Sequence, residues 1–240
     1  MKILYLLLLL TISVSAQAQC TSPCVNAASA GYTVSTSVST TAANFTGAHL
    51  GIIIATWYTA DSIASVSGTG CTGSWTKLTT ATDTGIGLTA IYYCTSFTGT
   101  ASDVGTINCT GNCFPTISYA GFTGTYTYDG VQNTGSSGTP SVNTGTVTPT
   151  GDGRLVISGA SFDGGGSPTP NIAGVSGSYT LATSNSGGSG RWTNGIAYWL
   201  QLTAASTSTT FTGSAGVAAG VIASFSVSVP TFSAKRKVLN

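Results

Sequence analysis

His49–Thr59, HLGIIIATWYT, is the stretch on which the fold turns. From Leu50 to Tyr58 it is almost continuously apolar and rich in β-branched residues. Successive side chains of a strand alternate, so Ile52, Ile54, Thr56 and Tyr58 take one face and Ile53, Ala55 and Trp57 the other. Both faces are apolar, which predicts a strand in the middle of a sheet, covered on each side. A weaker echo, Arg154–Ser161 (RLVISGAS), follows about 105 residues later.

The same offset recurs outward from these two strands. Ser141–Thr148 repeats the alternating Tyr32–Ser39 (YTVSTSVS), and Gly177-Ser178-Tyr179-Thr180 repeats Gly73-Ser74-Trp75-Thr76. Ile196–Trp199 matches Ala90–Tyr93, and Ile222–Phe225 matches Ile117–Ala120. A steady offset marks a pseudo-repeat. Each half offers about six short strands punctuated by Gly, Ser and Asn, the pattern of a sandwich or barrel. The fold class read from this is all-β. It is a single jelly-roll-like β-sandwich whose sheets take strands from both halves, residues 31–129 and 140–229, joined by Gly130–Pro140 (GVQNTGSSGTP). Two tandem Ig-like sandwiches are the alternative. The single sandwich is preferred because only the first half carries Cys, leaving a free-standing second half without a staple.

The chain opens like an export leader. Lys2 supplies a positive start, Ile3–Leu10 an apolar run, and Ala16-Gln17-Ala18 a cleavage motif. Residues 1–18 therefore read as a signal peptide and the mature protein as secreted or periplasmic. Residues 19–30 form a Cys-containing N-terminal segment and 230–240 a tail with the basic cluster Lys235-Arg236-Lys237. The leader is too short to span a bilayer, and no transmembrane segment is expected. Charged residues are only 5% of the chain, against about 25% in ordinary soluble domains. Nucleic-acid partners are disfavoured, because neutralising phosphates takes clustered Lys and Arg.

In an oxidising compartment six Cys read as disulfides. Cys71 and Cys94 are equidistant from the turn Ala81–Gly85, so an antiparallel hairpin brings them together. Closing that loop adds about 3 kcal/mol in the chain-entropy treatment. Cys109–Cys113 and Cys20–Cys24 are expected as local bridges across short turns. The alternatives are crossed pairs between these two couples, or a zinc site formed by both.

Leu50–Ala55, Gly73–Leu78, Ile91–Tyr93, Tyr119–Phe122, Gly153–Ile157 and Ala223–Phe225 resemble the strand pattern of exported Thr/Ser/Gly-rich β-sandwich proteins of environmental bacteria. That resemblance covers nearly the whole mature chain. It implies fold and export and no site; the internal Cys pairs depart from the group's pattern.

Little in the chain points to catalysis. His49 is the only histidine, and a Ser-His-Asp hydrolase would have to use it, but no nucleophile elbow accompanies it. The chain lacks Glu, and its six Asp are scattered singly, so the paired carboxylates of glycoside hydrolysis are missing. Asp129-Gly130, Asp152-Gly153 and Asp163-Gly164 read as turns. No metal or cofactor is expected, although a loop calcium held by backbone carbonyls and one Asp stays open. Aromatics are the better lead. Trp192 beside Arg191 in the polar stretch Gly187–Asn194, and Tyr126 with Tyr128 on one face of a strand ending at Asp129-Gly130, are the candidate ligand-binding residues. The expectation is a secreted binding or adhesion module without catalytic activity, directed to a glycan or cell-surface partner. The alternative is a self-associating subunit of an extracellular sheath, filament or surface layer.

Overall fold

The computed structural model describes residues 20–31, 35–83, 85, 87–164, 171–185 and 192–228. The expected leader, the start of the Tyr32–Ser39 strand, Arg191 and the basic tail lie outside the described residues. Among the described residues the chain forms strands, turns and loops, and no helix is long and apolar enough to cross a membrane.

The first half supplies β1 (Cys24–Gly31), β2 (Ser37–Ser39), β3 (Leu50–Tyr58), β4 (Ile63–Gly68), β5 (Thr76–Thr82), β6 (Gly87–Cys94), β7 (Gly105–Cys109) and β8 (Thr116–Phe122). The second supplies β9 (Tyr126–Ser137), β10 (Ser141–Asn143), β11 (Arg154–Asp163), β12 (Ile172–Val175), β13 (Thr180–Ser184), β14 (Trp192–Gln201), β15 (Thr210–Gly213) and β16 (Val217–Val227). All pairings are antiparallel. A five-stranded sheet, β1-β8-β3-β6-β5, backs a three-stranded one, β2-β7-β4. The second half repeats both in the same order, β9-β16-β11-β14-β13 and β10-β15-β12.

With the division set between β8 and β9, four residues earlier than the sequence placed the end of the first half, each sheet is drawn from one half, where the sequence suggested sheets shared between halves. Sharing occurs in the core instead. Leu50, Ile52, Ile54, Ile91 and Phe122 of the first five-stranded sheet pack against Leu155, Ile157, Ile196, Val221 and Phe225 of the second. The opposite face of β3, with Ile53, Ala55 and Trp57, packs under the small sheet with Val38 and Ile107. Val156, Ala160 and Phe162 of β11 do the same with Val142 and Phe211. The molecule is therefore four sheets deep, and the doubly apolar β3 sits mid-sheet as its sequence requires.

Contacts across the middle are reciprocal: β1 lies against β13 as β9 lies against β5, β8 against β14 as β16 against β6, and β3 against β11. This is the pattern of a twofold dimer interface, here within one chain. The register pins the correspondence. Tyr93, Ile52 and Ala120 lie side by side across the first sheet, and Tyr198, Ile157 and Ala223 across the second. Tyr198 thus corresponds to Tyr93, one residue from the match suggested by sequence alone.

Two segments differ from expectation. The Cys-containing segment 19–30 is not an appendage, since β1 forms the edge of the first large sheet. The supposed connection Gly130–Pro140 is mostly strand, because β9 runs on through Asp129-Gly130. Gly130 adopts φ +80° at an irregularity in the pairing with β16, a conformation glycine takes without steric cost, so the strand kinks and continues. The three expected disulfides are all present: Cys20–Cys24, Cys71–Cys94 and Cys109–Cys113.

Candidate binding faces

The aromatic lead goes into the core. Trp192 is not on a loop: it opens β14 opposite Asp163 and is 2% exposed. Side chains two apart share a face, so Trp192, Asn194, Ile196 and Tyr198 all point to the central interface. There the indole lies over Gly87, where any Cβ would collide with the ring. Its proposed neighbour Arg191 falls outside the described residues. Tyr126 and Tyr128 do share a face, but it too is the central one. The Tyr128 ring stands 5.9 Å from Tyr93 and 6.1 Å from Phe225. Burial pushes both phenols above their ordinary value; Tyr93 and Asp129 add to the effect at Tyr128. Trp192 and Tyr126 are buried, and Tyr128 is half-buried against Tyr93 and Phe225.

Most polar side chains at the Trp192 end of the central interface are also paired with one another, Thr116 Oγ1 being buried there without a hydrogen bond. Asn194, fully buried, donates to the carbonyls of Ile54 and Thr116, both at 3.0 Å, and to Thr56 Oγ1 at 3.3 Å. Ser118 donates to its side-chain oxygen at 2.8 Å. Thr89, the residue corresponding to Asn194, shares a hydrogen bond with Ser161, which corresponds to Thr56. The two bonds are mates under the internal twofold. Together they form a clasp between halves, and buried polar groups so paired hold structure together.

The remaining candidates are dispersed. His49 is exposed at the head of β3, its backbone N–H bonded to Phe122. The Asp83 carboxylate accepts from the backbone of Gly85 and Gly87, Asp103 from Thr69 and Thr100, and Asp152 from Ala204. Asp129, expected in a turn, pairs with Arg154 at 3.2 Å inside β9. Among the described residues no three of His, Cys, Asp and Glu gather into a set that could hold a metal ion.

What the fold does present is a pair of polar outer faces. In β2-β7-β4 the middle residues Val38, Ile107 and Val66 lie side by side and face inward. Alternation turns their neighbours outward. Ser39, Thr106 and Ser67 form one row across the strands, and Ser37, Asn108 and Ser65 the next. Within these rows Ser39 and Thr106 share a hydrogen bond of 2.7 Å, and Asn108 donates to Ser65 at 2.9 Å. The second half repeats the pattern around Val142, Phe211 and Val175. Its outward rows are Asn143 and Thr210, then Ser141, Thr212 and Gly174; Ser176, just past β12, follows on beside Thr210 with its hydroxyl accepting from the Thr210 backbone N–H. Asn143 donates to Thr210 at 3.3 Å and to Ser208 at 3.2 Å.

Sheet geometry spaces such side chains about 4.8 Å along a row and about 6.7 Å between rows. Each face is a small lattice of hydroxyl and amide groups without a charge in its rows. Sequence reasoning passed over these residues, although each contributing triplet (SVS, TIN, SVS; SVN, TFT, GVS) has the apolar-centred alternation of a half-buried strand. No known family, curated protein or solved structure matches the chain.

Proposed function

We propose that the chain is an exported binding or adhesion module that holds uncharged polysaccharide on its outer sheet faces. The observation carrying this reading is the paired rows of Ser, Thr and Asn on both small sheets. Hydroxyls and amides donate and accept without a fixed charge, the chemistry that sugar hydroxyls reciprocate. Each lateral hydrogen bond orients a side chain in advance and lowers the entropic cost of meeting a ligand. Charged polymers are poorly suited, because neither set of rows contains Lys or Arg. Protein partners are also poorly suited, because stable protein interfaces centre on buried aromatic or Arg anchors, which the rows lack. Three disulfides are compatible with an oxidising compartment.

The building-block reading rested on the apolar faces of Leu50–Tyr58 and on a net charge of +1. Both faces of that strand are covered within the chain, so only low charge still favours it. Light scattering over a wide range of protein concentration is expected to find one species.

The direct test is depletion of the oxidised protein from solution by microcrystalline cellulose. Saturable depletion is expected to persist in about 1 M salt, where electrostatic reach falls to about 3 Å. It is expected to fall when Thr106→Lys with Asn108→Lys is combined with Thr210→Lys and Thr212→Lys. Absence of depletion, or undiminished depletion by the fourfold variant, would reject the reading.

A further inference from the structure

We propose that the two outer faces act on separate polymers, so that one molecule bridges two pieces of uncharged polysaccharide. This rests on the binding reading above and adds a geometric claim to it.

The small sheet of the first half covers the outer side of one large sheet, and that of the second half covers the outer side of the other. The large sheets face each other across the shared core. The two polar faces therefore look in opposite directions, about 30 Å apart if each of the three gaps between sheets is about 10 Å. Their chemistry is matched. Val38 corresponds to Val142, Ile107 to Phe211 and Val66 to Val175, which aligns the six outward positions one for one. Four of the six are outward Ser, Thr or Asn in both halves; Ser65 meets Gly174, and Ser67 meets Ser176, whose hydroxyl is taken by the Thr210 backbone.

Two like sites on one molecule raise affinity for a single surface only when both can reach it. Here they cannot. The faces belong to halves locked by one hydrophobic core and by the clasp at Asn194 and Thr89, so neither can turn toward the other's side. A surface that takes one face leaves the other pointing into solution, free to take a second. The geometry makes the protein a cross-linker of neutral polymer and not a high-avidity binder of one surface.

The test uses the intact oxidised protein with a suspension of microcrystalline cellulose and reads two quantities, protein depleted from solution and particle clumping by sedimentation rate. Variants carry Thr106→Lys with Asn108→Lys on the first face, Thr210→Lys with Thr212→Lys on the second, or all four, and thermal melting checks that each folds. The natural chain is expected to deplete and to clump. Each single-face variant is expected to deplete but not to clump, and the fourfold variant to do neither. Depletion without clumping by the natural chain, or full clumping by a single-face variant, would overturn bridging while leaving the binding reading intact. Clumping that tracks self-association of the protein alone, measured by light scattering without cellulose, would also overturn it. If the natural chain is not depleted, the binding reading fails and bridging with it.

Discussion

The two halves have one strand order and nearly one inward register, yet they are held together by different means. Both begin their large sheet with the same rows, Phe122 beside Leu50 and Phe225 beside Leu155, then the Tyr-Ile-Ala rows. Towards the other end they diverge. Ile54 corresponds to Gly159 and packs into the space that glycine leaves, an ideal Cβ there standing 2.6 Å from Ile54. Gly87 corresponds to Trp192 and receives its indole. Thr89 corresponds to Asn194. The first half carries all three disulfides, and large and small residues are exchanged in both directions, Ile54 over Gly159 and Trp192 over Gly87. The difference teaches that a repeat which packs against itself must break its symmetry near the axis, because identical large residues there would occupy the same space.

The largest expected effect comes from the Trp192–Gly87 pair. Trp192→Ala removes a buried aromatic and should destabilise the fold by about 3–5 kcal/mol. Gly87→Ala should cost about 1–3 kcal/mol by overpacking. Urea denaturation of both single variants and the double variant checks this. The cost of alanine at 87 is expected to shrink once the indole is gone, leaving only the close approach of the Asp83 carboxylate at 2.5 Å, so the costs should not add. Additive costs, or a near-neutral Trp192→Ala, would separate the two residues and dissolve the comparison.

Next in size is the clasp. Asn194→Leu strips the amide partner from Ser118 and one bond each from Thr56, which keeps Thr89, and from the carbonyls of Ile54 and Thr116. A loss of about 3 kcal/mol is expected, since buried polar groups left unpaired cost about 1–3 kcal/mol each and some relaxation follows. Thr89→Val, at the corresponding position, removes only its bonds to Ser161 and Thr56 and should cost about 1–2 kcal/mol. Chemical denaturation of the two variants ranks them. Equal losses would mean that the halves share the clasp evenly, against the arrangement seen here.

The central strands and the hairpin disulfide were legible because they depend on local periodicity and on equal spacing from a turn. Trp192 shows where local reading misleads. The glycines and serines before it suggest a loop, yet counting back by two from Tyr198 through Ile196 and Asn194 places it on the buried face. β9 was hidden for a related reason: Asp129-Gly130 has turn chemistry, and only pairing with β16 reveals a kink in a continuing strand. The outer rows could not be seen from single segments. Ser37-Val38-Ser39 reads as part of an alternating strand, but only long-range pairing lines three such triplets side by side into a face.

The smallest and most local effect concerns the edge strands β1 and β9, which correspond because Cys24 lies opposite Phe122 as Tyr128 lies opposite Phe225. β1 is tied at its start by Cys20–Cys24. β9 is tied by Asp129, which accepts from Thr150 and Ser224 and pairs with Arg154. Among the described residues the first half has no such clamp, since His49 stands where the second has Arg154. Burial alone would raise the Asp129 carboxyl, but the bonds from Thr150 and Ser224 and the charge of Arg154 outweigh it and hold it below the ordinary value. A carboxyl held low in the folded chain contributes its stability fully above the unfolded value of about 3.9, and loses it as pH falls through the folded value. Lowering the pH from about 6 to about 3 should therefore loosen β9 before β1, while mild reduction should loosen β1 and spare β9. Hydrogen exchange, corrected for the intrinsic rate at each pH, reads both; a tenfold gain in exchange corresponds to about 1.4 kcal/mol of local stability. Asp129→Asn should reproduce the acid effect on β9 at neutral pH. If acid and reductant loosen both edges alike, the halves open as one unit, and their different fastenings matter only to the stability of the whole.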